Sequence, residues 1–136
     1  MDTFSLAIDS KSSLTSFSRG ANIAVVGAGG GIGKALVERL SMDENKPNVI
    51  ALNRSDLRRS GWKGLFKSLE LENESSIKEA SEFIKRKMGT LSAVIVATGL
   101  LHDDTGIKPE KSWSALDPYS IERVYRVNTL GPALVA

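Results

Sequence analysis

The chain has 136 residues, enough for one domain with its own core, and an ordinary globular composition, 41% hydrophobic and 25% charged. A formal net charge of +2 is too small to argue for nucleic acid or an acidic membrane as partner. With no cysteine, disulfides and thiolate metal sites are excluded, and the single histidine, His102, disfavours a zinc centre; the lack of cysteine suits a reducing, cytoplasmic setting.

Residues 1–20, MDTFSLAIDSKSSLTSFSRG, are serine-rich and carry no long apolar run, so they read as a mobile leader or one short extra strand. A secretory signal is not supported, and Asp2 and Asp9 count against a mitochondrial presequence. No apolar run approaches the ~20 residues of a membrane-spanning helix. The domain is expected over residues 21–136.

Residues 22–28, NIAVVGA, make a buried-strand run. From residue 32 to 40, Ile32, Leu36, Val37 and Leu40 share one helical face, predicting a first helix that buries all four. A polar loop, SMDENKPN, leads to a second strand over 49–53. The basic connection RSDLRRSGWKG precedes a third strand around 65–71. In NESSIKEASEFIKRKMG, Ser76 and Glu79 fit a capping box, Ile77, Ala80, Ile84 and Met88 form a face, and Gly89 is the stop. Residues 91–99, LSAVIVATG, are a fourth strand, apolar on both faces. Residues 100–116 read as a loop, after which Asp117 and Pro118 supply the cap and first turn of a final helix. Alternating strands and helices with runs apolar throughout predict a doubly wound α/β domain: a parallel sheet in the order 3-2-1-4 between two helical layers.

The stretch VVGAGGGIGKAL falls between the first strand and first helix, where a phosphate-binding turn belongs. Gly27 can turn the chain off the strand, Gly31 leaves room for a pyrophosphate, and Gly33 permits close helix–strand packing. Gly29, Gly30 and Ile32 complete the candidate loop. A dinucleotide is the expected ligand. Where an acidic residue would read the 2′-hydroxyl of NAD, the chain has Asn53 followed by Arg54, with Arg58, Arg59 and Lys63 beyond, which favours NADP(H) over a merely solvated basic loop.

The spacing Gly27-x-x-x-Gly31-x-Gly33 resembles the TGxxxGIG loop of the short-chain dehydrogenase/reductase family, with Val26 in place of threonine. Ala97, Thr98 and Gly99 look like that family's N-A-G, Glu70 and Leu71 fall where it has an acidic residue near the adenine, and Asn128 in VNTLG matches its helix asparagine. The C-terminal third is particularly similar to the C-factor-like branch. The resemblance implies hydride transfer between a nicotinamide cofactor and a small carbonyl or alcohol, with homo-oligomerisation in the full-length form. It also implies a catalytic role for Asn128, whose backbone carbonyl holds a water there. Pro132, which has no N–H to return four residues back, predicts a kink that frees this carbonyl.

Other residues read more plainly. His102 is expected in solvent, Asp103 and Asp104 in a turn, and Trp62 and Trp113 in packing, the latter able to flank a substrate mouth. Tyr119-x-x-x-Arg123 precedes the asparagine motif and lacks the lysine, so it is not the family's catalytic pair; no Tyr-x-x-x-Lys occurs in the sequence. The expectation is therefore a cofactor-binding portion whose catalytic serine, tyrosine and lysine lie beyond Ala136. The alternatives are a non-catalytic nucleotide-binding or signalling module and a Rossmann-type transferase.

Overall fold

The computed structural model describes residues 16–136. The leader expected over residues 1–20 lies, up to residue 15, outside the described residues. From there the chain runs β1 (Asn22–Val26), α1 (Gly31–Ser41), β2 (Asn48–Asn53), a 3-10 turn (Leu57–Ser60), β3 (Leu65–Ser68), α2 (Glu74–Met88) and β4 (Ala93–Val96). A second 3-10 turn (Trp113–Ala115) leads into α3 (Pro118–Tyr125), a π-helical turn (Arg126–Leu130) and α4 (Gly131–Val135).

All strand pairs are parallel, and the sheet order is β3-β2-β1-β4, as the alternating pattern predicted. The period of two along β1 sorts its side chains between the two layers. Ile23 and Val25 pack with Val37 and Leu40 of α1, whereas Ala24 and Val26 pack with Ile77, Ala80 and Ile84 of α2 and with Val135 of α4. On the same side, α1 also packs on Ala51 and Val49 of β2. Leu57, Trp62 and Phe66 pack against this cluster, and the Trp62 indole N–H donates to the Leu65 carbonyl at 3.2 Å. Among the described residues, no helix is long and apolar enough to cross a membrane.

Several local expectations are corrected. Ile32 does not join the buried face of α1; it is 75% exposed, and the buried positions are Gly33, Val37 and Leu40. A helix starting at Gly31 points Ile32 outward, and Gly33 takes the contact with the turn at Gly27 and Ala28. The cap of α2 is Asn73, whose side chain accepts from Ser76 N–H, not Ser76 with Glu79. The Ser76 hydroxyl instead accepts from the Glu70 N–H at 2.9 Å, and Glu79 pairs with Lys67 at 3.3 Å. β4 is the edge strand that the order 3-2-1-4 implies: among the described residues it pairs only with β1, and Val94 and Val96 are 40% and 36% exposed. Trp113 is not a packing residue, being 90% exposed.

The predicted ends of the two long helical stretches hold. Gly89 ends α2 at φ 74°, and Asp117 caps α3 by accepting from Ser120 N–H, with Pro118 in the first turn. The expected kink at Pro132 takes another form. The Gly131 N–H bonds to the Arg126 carbonyl, five residues back, so the strain of a missing donor is absorbed by a widened π turn.

Candidate functional site

A parallel sheet that winds outward from β1 to β3 and then returns to β4 leaves a crevice at the carboxyl ends of the strands, where the winding direction reverses. The structure has a cavity of about 510 Å³ there. It is lined by Gly27 and Gly30 from the glycine turn, Asn53 and Arg54 after β2, Glu70 and Leu71 after β3, and Ala97, Thr98 and Gly99 after β4. Four separate segments thus converge on one cavity. Gly29, Gly31, Ile32, Gly33 and Asn128 are not among the lining residues.

The turn itself is built by three backbone contacts. The N–H groups of Gly27 and Ala28 both donate to the Leu52 carbonyl, at 2.8 and 3.1 Å, and Gly30 N–H donates to the Gly27 carbonyl at 3.1 Å. Gly27 has φ 80°, and a Cβ there would stand 2.7 Å from Thr98 Cγ2. A Cβ on Gly33 would stand 2.7 Å from the Gly27 carbonyl carbon and overlap its oxygen, so α1 sits against the turn only because that residue is glycine. Gly31 differs: nothing lies within 4 Å of where its Cβ would be. The first turn of α1 has no side-chain cap, which leaves its N–H groups and partial positive charge without a side-chain acceptor from the cap residue.

Asn53 braces this turn rather than pointing into the cavity as an isolated ligand. Its Oδ1 accepts from Gly29 N–H at 3.2 Å and its Nδ2 donates to the Ser55 carbonyl at 3.0 Å. Arg54 and Glu70 meet across the cavity mouth, Nε to Oε2, at 3.9 Å. Arg58 is held elsewhere by a short pair with Asp56 at 2.7 Å, which together with its hydrogen bonds lowers the Asp56 pKa to about 2. Thr98 Oγ1 is buried without a hydrogen-bond partner.

Asn128 lies in the π turn with both polar atoms of its side chain engaged. Its Oδ1 accepts from Leu100 N–H at 2.7 Å and its Nδ2 donates to the Leu100 carbonyl at 2.8 Å. This clamp fixes the segment that follows Ala97, Thr98 and Gly99. Sequence reasoning located Asn128 but not this partner, which is 28 positions away.

A second cluster was missed altogether. Arg123 of α3 bonds to Asp103 at 2.7 Å, to the Thr105 hydroxyl at 2.8 Å, and pairs with Glu72 at 3.4 Å. All four residues line the cavity. Asp103 forms the expected turn by accepting from the N–H groups of Thr105 and Ile107. The Thr105 hydroxyl first, then these N–H groups and the Arg123 charge, hold its carboxyl below the usual range against desolvation. Burial works against the Arg123 charge, yet Glu72 and Asp103 outweigh it and raise its pKa. Only the Asp-x-Thr turn chemistry could have been read in advance. His102 is exposed and does not line the cavity, and no group of His, Asp or Glu among the described residues is placed to hold a metal.

The profile of the short chain dehydrogenase family matches residues 21–136. No curated protein matches it in sequence. Among solved structures, an NADPH-bound carbonyl reductase from chicken fatty liver superposes with TM-score 0.72 at 24% identity, over 88% of this chain and 46% of that one. A 3-ketoacyl-(acyl-carrier-protein) reductase from Brucella melitensis, complexed with NADH, gives 0.71 at 21%, over 86% and 47%. The KRED1-Pglu enzyme gives 0.71 at 23%, over 85% and 48%. Identities this low establish a shared fold, and the chain spans just under half the length of these proteins. The profile match covers the whole described domain, from the residue before β1 to the end of α4, and so the chain belongs to the short-chain dehydrogenase family.

Proposed function

We propose that the chain is the cofactor-binding portion of an oxidoreductase that prefers NADP(H) to NAD(H) and acts on a small carbonyl or the corresponding alcohol. The observation that carries this reading is the contrast within the glycine turn. Gly27 and Gly33 are pressed against neighbouring atoms, while nothing lies within 4 Å of a Cβ on Gly31, in the first turn of a helix without a side-chain cap. A diphosphate needs that combination of rigid backbone and free approach. The orphaned Thr98 hydroxyl beside Gly27 adds a polar group whose partner the folded chain does not supply.

In this reading residues 29–33 hold the diphosphate, Glu70 and Leu71 flank the adenosine, and Arg54 takes the 2′-phosphate through charge-assisted bonds. Bound nicotinamide supplies or accepts the hydride. The chain's own residues bind and orient. Asn128 spends its side chain on Leu100, so any part it has in holding a water falls to its backbone carbonyl in the π turn. The similarity of the stretch from Thr98 onward to the C-factor-like branch supports placing the protein there. A cytoplasmic, homo-oligomeric enzyme accords with the lack of cysteine and with exposed apolar side chains such as Ile121 and Leu134.

A second reading, a non-catalytic nucleotide-binding module, is favoured by one observation. Tyr119 and Tyr125 are exposed and neither lines the cavity, so no tyrosine stands ready as proton donor. Titration with NADPH and NADH by calorimetry tests the first reading, with tighter binding expected for NADPH. Asn53→Asp with Arg54→Ala should reverse the preference. Aspartate keeps the acceptor for Gly29 N–H while losing the donor to Ser55, so the turn survives. A charge-assisted contact supports a shift of about ten- to hundredfold. Equal binding of both dinucleotides before and after the change defeats the Arg54 assignment.

A further inference from the structure

Arg54 is not presented to the cavity as a free cation. Its Nε lies 3.9 Å from Glu70 Oε2, and the two side chains are 70% and 36% exposed. The backbones under this pair are fixed. Ser68 Oγ donates to the Arg54 carbonyl at 3.2 Å, and Glu70 N–H donates to the Ser76 hydroxyl at 2.9 Å. Asn53 and Ser68 face each other in the β2–β3 register, so the residues just beyond these strand ends are close neighbours. The carboxylate and guanidinium therefore meet because the sheet delivers them together.

We propose that Glu70 is a specificity-determining residue that limits the preference for a 2′-phosphorylated dinucleotide by competing for Arg54. The inference rests on the reading of Arg54 as the phosphate contact. An exposed ion pair adds little to stability, so its consequence is felt in what Arg54 has to give up when another anion arrives. A phosphate on this guanidinium must share it with the Glu70 carboxylate facing Nε, or displace that carboxylate. A ligand with a plain 2′-hydroxyl makes no demand on Arg54 and leaves the pair intact. The rest of the cavity mouth does not relieve this competition: Arg123 is already committed to Glu72 and Asp103. The wild-type site thus accepts both dinucleotides with a narrower ratio than its arginine alone would set.

The test is a double-mutant cycle on the 136-residue chain, with NADPH and NADH affinities measured by calorimetry for the wild type, Glu70→Gln, Arg54→Ala and the double variant. Glutamine keeps the size of the side chain and any hydrogen bond common to both ligands, and the ratio of affinities cancels whatever the two share. Glu70→Gln should raise the NADPH:NADH ratio about three- to tenfold, the scale of removing one exposed competing charge. In the Arg54→Ala background the same change should leave the ratio unaltered. An unchanged or lower ratio in Glu70→Gln overturns the proposal. So does a rise that persists without Arg54, which assigns the effect to direct repulsion of the phosphate. Loss of preference in Arg54→Ala with no effect of Glu70→Gln keeps the phosphate assignment and removes only the role of Glu70. Absence of binding to either dinucleotide in the wild type overturns the site itself, and this inference with it.

Discussion

Gly33 and Gly31 lie two residues apart at the start of α1, yet the structure assigns opposite consequences to giving each a methyl group. In a helix interior, Gly→Ala by itself is stabilising by about 0.8–1.0 kcal/mol. At Gly33 that gain is overridden. The new Cβ would stand 2.7 Å from the Gly27 carbonyl carbon and 3.1 Å from Ala28 Cα, and would overlap the Gly27 oxygen. These are backbone atoms, held by the donations of Gly27 and Ala28 N–H to the Leu52 carbonyl, so they cannot give way cheaply. Helix α1 has to move outward, loosening Val37 and Leu40 from Ile23 and Val25.

Overpacking of this kind costs about 1–3 kcal/mol, and strain against backbone puts Gly33→Ala at the upper end, so a net loss of about 1–2 kcal/mol remains after the propensity gain. Gly33→Val should cost more. At Gly31 no atom lies within 4 Å, so Gly31→Ala should leave stability unchanged or raise it by up to about 1 kcal/mol. Its methyl group would, however, occupy the approach proposed above for the diphosphate, and NADPH affinity should drop at least about tenfold. Urea titration followed by far-UV circular dichroism gives the stabilities, and calorimetry gives the affinities. Gly33→Ala as stable as the wild type would falsify the packing argument. Gly31→Ala binding NADPH normally would refute the placement of the diphosphate.

Two further expectations concern the clamp and the acidic caps. Asn128→Leu removes both hydrogen bonds to Leu100 and should cost about 1–2 kcal/mol, with faster amide exchange at Leu100; unchanged exchange there counts against the clamp. Asp103 and Asp117 have carboxyl pKa values lowered chiefly by the Thr105 and Ser120 hydroxyls, and Asp56 is held at about 2 by Arg58. Because these folded values lie below the unfolded ones, their contribution is complete above about pH 5 and is lost as pH falls through the folded values. The urea midpoint should therefore decline from pH 5 towards pH 2, less steeply in Asp103→Asn/Asp117→Asn. A wild-type midpoint that is flat over this range is the contrary result.

What could be read from the sequence was what a residue does with its near neighbours. The order of strands follows from apolar runs separated by helical periodicity, and the turn at Gly27 follows from glycine between a strand and a helix. Gly89 and Asp117 act on backbone groups a few positions away, and both behaved as expected. Ile32 went astray because periodicity alone treats every apolar residue as core. Gly33, with no side chain to count, took the buried position instead. Ser76 follows two other acceptable caps, Asn73 and Ser75, and only the geometry of the β3–α2 connection shows that Asn73 caps while Ser76 serves Glu70. The Arg123 cluster joins residues up to 51 positions apart by chain number, Glu72 to Arg123, and no local pattern encodes that meeting.

The last helical stretch shows how such distant contacts are achieved. Arg123 reaches both sides of the cavity, Glu72 after β3 and Asp103 after β4. Asn128 holds Leu100 on the β4 side. Gly131 lies so near the β3 side that a Cβ there would stand 2.8 Å from Leu71 Cβ. An uninterrupted α-helix turns about 100° per residue, so the extra residue of the π turn between Arg126 and Leu130 rotates everything after it by about that angle. Pro132 makes the regular bond four residues back unavailable and so favours the wider turn. The rotation lets Asn128 face β4 while Gly131, only three positions on, packs against Leu71. A helix that touches both walls sets the spacing between them, and with it the width of the cavity.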